Sequence, residues 1–363
     1  MKGITKIVLL LACLPAMSGG LSAQEQALPW VLNVYFENDL FGETDQNYTN
    51  GIRFSWVSPD LSSYEDDETL PEWLRDTNDF LSFFHDRRLL QRCSKARSEH
   101  FVGDCLSRNL VVSLGQLIYT PQDIDAEELL EDQRPYAGYL YSQFAYQTRS
   151  DEKLDTIEFS LGIVGPASLG QEAQDLIHDL RGFDKFKGWD NQLGNELGIG
   201  VVYEHKQRVF RQALWGGRMQ QDLIVHAGAS LGNVATYVNA GFEYRIGRFL
   251  PDDFGTASVR PGGDSASPGR NDPRLRRNFL GGFHLFVAVD GRLVARDIFL
   301  DGNTFRDSHS VSKKNGVGDV AMGVNFVSGR WKFSYAQVRR TREFGQQVGS
   351  HEYGSITLSY VYR

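Results

Sequence analysis

The chain has 363 residues, with 38 Lys and Arg against 46 Asp and Glu and a formal net charge of -8. That acidic balance, with no recognisable nucleic-acid-binding pattern, argues against a nucleic-acid partner. Mean hydropathy is -0.36, and no stretch after the N-terminus is long and apolar enough to cross a bilayer as a helix. A helical membrane protein is thereby excluded, whereas a soluble protein and an outer-membrane barrel, in which only alternate residues face lipid, are both compatible with it.

In chain order, Lys2 and Lys6 precede the apolar run Ile7–Met17, and small residues follow to Ala23. This is the pattern of a secretory signal peptide over residues 1–23, leaving 24–363 as one domain. Export without the leader leaves two cysteines, Cys93 and Cys105, in a polar segment. A disulfide is expected between them, since two cysteines without clustered histidines make a poor zinc site.

The remainder alternates with period two. Ile52-Arg53-Phe54-Ser55-Trp56 and Ile157-Glu158-Phe159-Ser160-Leu161 are examples, and the last residues, Ser355 to Tyr362, repeat the pattern. Such strands carry one apolar face and one small or polar face. The predicted strands are 29–37, 48–58, 109–119, 136–149, 154–164, 197–210, 220–231, 234–247, 279–292, 316–328, 330–342 and 351–363. Their even number, the aromatic residues near strand ends, and a strand at each terminus of the mature chain favour closure. The expected fold is an all-β, twelve-stranded antiparallel outer-membrane β-barrel. With both termini periplasmic, loops 38–48, 120–135, 165–196, 232–233, 300–315 and 343–350 share the outer end. Segments 59–108 and 248–278 are long for periplasmic turns. Gly255–Pro273, rich in Gly, Ser, Asp and Pro, reads as a flexible loop.

Two outer loops stand out. The first carries Asn38, Asp39, Asp45 and Asn47 and leads into Thr49 and Asn50, a concentration of oxygen donors between two apolar-faced strands. The other, 165–196, has helical period between Gly170 and Gly182. Ala173, Leu176, Ile177 and Leu180 gather on one side, and Gln174 and His178 lie one turn apart on the other. Its apolar side can pack on the barrel or dip into lipid. "GPASLG" lacks the strand–turn–helix context of a nucleophile elbow, so Ser168 is not read as a nucleophile. Tyr136 and Trp189 read as packing or belt aromatics, and the basic runs "KKNG" (313–316) and "RRTR" (339–342) as solvated faces in the first place, with contacts to lipid phosphates at the outer end as the alternative.

"ENDLFGETDQNYTNG" (37–51), "GQLIYTP" (115–121), "DQRPYAGYLY" (132–141) and "GPASLGQEAQDLIHDL" with "GWDNQL" (165–193) together resemble the lipid A 3'-O-deacylase family of outer-membrane proteins. The motifs cover the first half of the mature chain in order; the second half matches only as barrel strands. The resemblance implies a catalytic site between the barrel wall and an extracellular-loop helix. It also implies calcium-dependent hydrolysis of the ester that holds the 3'-linked acyloxyacyl group of lipid A in the outer leaflet.

Carried over by motif, the family's Asn-Asp pair matches Asn38 and Asp39, and the threonine of its Tyr-Thr step matches Thr49. Its Gln-x-x-x-His matches Gln174 and His178. Asp184 stands where the family's acidic residue is expected as Glu, and no lysine occupies the second outer loop near Ala126, which leaves Arg134 as the basic candidate for substrate contact. In this reading His178 is the base, Gln174 orients ring or water, Asn38 and Thr49 assist, and Asp39 with Asp184 hold Ca²⁺. The expected partners are lipid A and the outer membrane, with no obligate protein partner evident. Two alternatives stay open from the residues: a calcium-dependent phospholipase using the same site, and a non-enzymatic porin-like barrel, which would need neither His178 nor Asp39.

Overall fold

The computed structural model describes residues 30–39, 47–61, 107–256, 268–269, 272–276 and 280–362. Its strands are β1 (Trp30–Asn38), β2 (Asn47–Val57), β3 (Ser107–Thr120), β4 (Ala137–Arg149), β5 (Lys153–Val164) and β6 (Glu196–Leu214), followed by β7 (Met219–Gly232), β8 (Ala235–Arg248), β9 (Gly282–Asp297), β10 (Gly316–Ser328), β11 (Trp331–Arg340) and β12 (His351–Tyr362). Each pairs antiparallel with its neighbour in sequence, and β1 closes on β12, from Trp30 opposite Tyr362 to Asn38 opposite Gly354. All twelve expected strands are present. β6 runs on to Leu214 and β9 to Asp297, past the expected ends at 210 and 292.

The alternation has the polarity of a membrane barrel. On β3, Val112 and Leu114 are 50% and 49% exposed, whereas Val111 and Ser113 are buried. On β6, Leu197, Ile199, Val201 and Tyr203 are exposed while Val202 and Glu204 are buried. An apolar exterior around a polar interior suits hydrocarbon outside. None of the helices described is long and apolar enough to cross a membrane. The turns 150–152, 215–218 and 329–330 are short and share one end, and the longer connections 121–136, 165–195, 298–315 and 341–350 share the other. Three of the five connections at the first end are short, as periplasmic turns are, so that end is read as periplasmic, although 58–106 and 249–281 are long there and 233–234 is a two-residue turn at the other.

The periplasmic mouth is filled from within by part of the segment that joins β8 to β9. Arg245 grips Asp222 through Nε (2.8 Å) and Nη2 (2.6 Å), and its Nη1 donates to Asp253 Oδ1 at 2.6 Å. Lys332 Nζ donates to the other oxygen of Asp253 at 2.6 Å. Arg274 pairs with Asp272, and Arg208 Nη2 donates to the Asp253 carbonyl at 2.6 Å. Thus the described residues of Gly255–Pro273, expected as a flexible loop, are instead anchored: Thr256 N donates to Glu243, Gly269 N to the Asp252 carbonyl, and Asp252, Asp253 and Arg274 at its margins are held by paired charges. The signal-peptide segment, residues 1–23, and the expected Cys93–Cys105 bridge lie outside the described residues.

Candidate active site

Parity places the first half of the site on the external face of the wall. In β2 and β3 the even-numbered residues point outward: Phe54 and Leu114 are opposite one another and exposed to the lipid side. The same outward row continues through Ile52 opposite Gln116 to Asn50 opposite Ile118, and Asn38 of β1 lies opposite Asn50. Near the outer rim this row turns from apolar to amide-rich, and it is covered. Thr49 is the extra residue where the β2–β3 register shifts between Tyr48 and Asn50. The bulge turns its hydroxyl to Thr120 Oγ1, 2.7 Å away. Asp39 follows Asn38 directly and is fully buried, as are Asn38, Thr49 and Asn50 to within a few per cent.

The cover is the loop after β5. Helix α1 (Gly170–Arg181) spans the expected residues and lies against β3 and β4. It ends at Gly182, whose φ of 70° is the left-handed conformation that glycine adopts without a Cβ penalty. Three contacts fix its start. Gln116 Nε2 donates to the Ser168 carbonyl at 2.7 Å, Ser168 Oγ donates to the Gly165 carbonyl at 2.6 Å, and Gly165 N donates to the Gly138 carbonyl at 3.0 Å. A Cβ on Gly138 would stand 2.9 Å from Gly170 Cα. Two facing glycines therefore let the backbones of helix and wall cross in contact.

The helix turns its polar side to the wall. Gln174 and His178 are each 2% exposed, whereas Leu176 and Leu180 are 51% and 78% exposed. Of the two placements considered for the apolar side, Leu176 and Leu180 have the outward one, and the His178 side chain is buried. The His178 ring packs edge-on to Phe183 and Phe186, with centroids 6.0 and 5.7 Å away. Nδ1 contacts the Asp184 carbonyl. A carbonyl only accepts, so Nδ1 carries the proton and Nε2 holds the lone pair of the neutral ring. Gln174 Nε2 lies 2.8 Å from that lone pair.

Under the loop, Ile118, Tyr136, Phe186 and Trp189 form a buried cluster that Ala173 of α1 joins. Tyr136 and Trp189 are thus packing residues, with ring centroids 5.0 Å apart. Burial pushes the Tyr136 hydroxyl up to about 12, so it stays neutral. On the helix surface, burial raises the Asp175 carboxyl, with Lys185 opposing.

Asn38, Asp39, Thr49, Gln174 and His178 are therefore all buried, the first three at the rim of β1 and β2 and the last two on the wall-facing side of a helix that lies against β3 and β4. Two other candidates are placed differently. Asp184 has an exposed side chain and meets His178 through its main-chain carbonyl. Arg134 is buried over the inward-facing Tyr119 ring (4.4 Å) and paired with Glu343 at 3.3 Å, on the interior side of the wall. Between Arg340 and Arg134, Glu343 is held below the usual range despite its burial. Thr120 and Gln116 were missed in the sequence. The available signal was polarity at outward positions of β3, where lipid-facing residues are otherwise apolar.

A Ca²⁺ ion, if one is held here, would draw on the wall side for its donors. Asp39, Asn38, Thr49 and Asn50 bring one carboxylate and several neutral oxygens, a hard-ligand set. Among the described residues no cluster of three or more His, Cys, Asp or Glu occurs, so a cation at Asp39 would rely on neutral oxygens for most of its coordination.

The model of the family described as outer membrane protein LpxR matches residues 7–362. The chain belongs to the LpxR family. LpxR from Salmonella typhimurium, a solved structure, is 16% identical, has a TM-score of 0.65, and is matched over 92% of this chain and all of that one. The beta domain of the Bordetella autotransporter BrkA is 8% identical with a TM-score of 0.41, over 92% of this chain and 98% of that one. No curated protein matches the chain. The LpxR match agrees with the closed twelve-stranded barrel and with an outer-membrane location.

Proposed function

We propose that the protein is a calcium-dependent outer-membrane esterase that removes the 3'-linked acyloxyacyl group from lipid A. The observation that carries this reading is His178, buried on the lipid side of a wall that Gln116 and Asn50 make polar, with Nδ1 on the Asp184 carbonyl and Nε2 at the Gln174 amide. A base in that position meets an ester in the outer leaflet directly; a pore has no use for it.

His178 Nε2 takes the proton of the attacking water while Nδ1–H stays on the Asp184 carbonyl. Gln174 caps Nε2 at rest, so water must displace its amide. Once the ring is protonated, rotation of the amide brings Oε1 round to accept from Nε2–H. That oxygen is buried and has no hydrogen-bond partner among the described residues. Asp39 and Thr49 would hold the cation, with Asn38 orienting it or the water. When bound, calcium supplies positive charge for the oxyanion formed on the ester carbonyl. Asp184, proposed from its motif position as a second ligand, has its carboxylate at the surface, so its support for the site is clearest through His178.

Mass spectrometry of lipid A from cells with and without the protein tests the reaction. Loss of the 3'-acyloxyacyl mass only where the protein is present is expected. Unchanged lipid A together with released glycerophospholipid acyl chains would favour the phospholipase reading. Chelation should abolish the activity and added Ca²⁺ restore it; full activity in excess chelator would remove the metal from the proposal.

A further inference from the structure

On the wall opposite α1, the outer face of β8–β10 carries a groove of about 800 Å³. That is within the ~300–1,000 Å³ of small-ligand sites. Two registered rows floor it: Ala240, Gly291 and Gly318, then Val238, Leu293 and Gly316 towards the external end. At the external end the groove is bordered by Lys314 and Arg342.

The glycines have no structural reason to lack side chains. None of the three has a positive φ. A Cβ on Gly316 would meet nothing within 4 Å, and one on Gly291 or Gly318 nothing nearer than 3.8 Å. Glycine weakens a strand, so here its contribution is the open volume itself. The two cations are similarly uncommitted. Neighbouring Lys313 pairs with Asp301 at 3.2 Å and Arg339 with Glu352 at 3.5 Å, while neither Lys314 nor Arg342 has an ion pair among the described residues.

We infer that this groove is a second lipid site, which holds an acyl chain of a phosphorylated outer-leaflet glycolipid with its phosphate on Lys314 and Arg342. A groove open to the bilayer is filled by some chain, because an empty one forfeits dispersion contacts. Selectivity therefore lies with the headgroup, and two unpaired cations at the external rim select phosphate. A second copy of the chain is a poorer occupant, because a two-fold contact over the groove would bring both pairs of cations together. The site is separate from the His178 cleft and does not depend on the reaction proposed there.

The test is native mass spectrometry of the full-length protein, loaded in detergent with purified lipid A, on a His178→Ala background so that no turnover occurs. Two lipid A molecules retained per barrel are expected, one at the His178 site and a second in the groove, and the groove variants bear on the second alone. Lys314→Ala with Arg342→Ala should weaken that binding about tenfold per cation lost. Gly291→Leu with Gly318→Leu should displace that second lipid while heat-modifiable migration remains parental, since those side chains enter open space. Unchanged retention in both double variants, equal retention of glycerophospholipid, or a dimer that the leucines abolish would each overturn the inference.

Discussion

The neutral His178 owes its tautomer to a backbone atom. Because Nδ1–H is held by the Asp184 carbonyl, Nε2 is the ring nitrogen available as a base. His178→Ala should therefore lower release of the 3'-acyloxyacyl group by about 10²–10⁴-fold, and Gln174→Ala should cost less, because it removes a cap rather than the proton acceptor. Asp39→Ala should match the histidine variant, since the oxyanion is then unstabilised. Asp184→Asn separates the two roles of that residue. Activity and calcium response are expected to stay near parental, because the carbonyl survives the change; loss of both would assign the carboxylate to the metal. Sequence motifs pointed to all of these positions, but they read Asp184 by its side chain. A main-chain contact made across six residues leaves no trace in composition or spacing. Arg134 shows the same limit: its charge was legible, whereas its commitment to Glu343, far along the chain, was not.

At the level of elements, α1 and the wall form one device. Gly138→Ala is the sharpest probe, because even a methyl group collides with Gly170 and Ser168. The helix must move outward, carrying Gln174 and His178 with it. Turnover should fall by about 10²-fold, the effect of an ångström-scale misplacement, while circular dichroism and heat-modifiable migration stay parental. Retained activity would show that the glycine contact does not set the position of the base. The strands were legible because a lipid-facing row and an interior row impose strict alternation, and the helix because Gly170 and Gly182 bracket its period. Which side of α1 faces the wall was not legible. The hydrophobic side ordinarily packs inward, but here the wall beneath is itself polar, through Asn50, Gln116 and Thr120, and the membrane lies outside.

Across the whole molecule, paired charges from the strands and from the β8–β9 connection bind the periplasmic end together. Asp253 is fully buried, and although burial opposes ionisation, Lys332, Arg245 and Arg274 hold its carboxyl well below the ordinary value. A depressed folded value stabilises the ionised form. Its contribution is complete above the unfolded pKa of about 3.9 and is lost only as pH falls through the lower folded value. Limited proteolysis across an acid series should find the 252–256 segment protected down to the unfolded value and cut only below it. Arg245→Ala should remove that protection at neutral pH, since breaking a buried pair costs ~3–5 kcal/mol. The partners of Asp253 lie on β8, on β11 and near residue 274, so no local reading of a Gly- and Ser-rich segment would have found them.

The position of His178 on the outside of the barrel also sets the kinds of encounter open to it. A site that opens sideways into the leaflet never waits for a molecule to leave the membrane, and its partner approaches by lateral diffusion in two dimensions. The relevant concentration is then the mole fraction of lipid in the surface and not its amount per litre. Diluting lipid A with inert detergent at constant bulk concentration should slow hydrolysis in proportion, whereas adding more mixed micelles of the same composition should leave the rate per barrel unchanged.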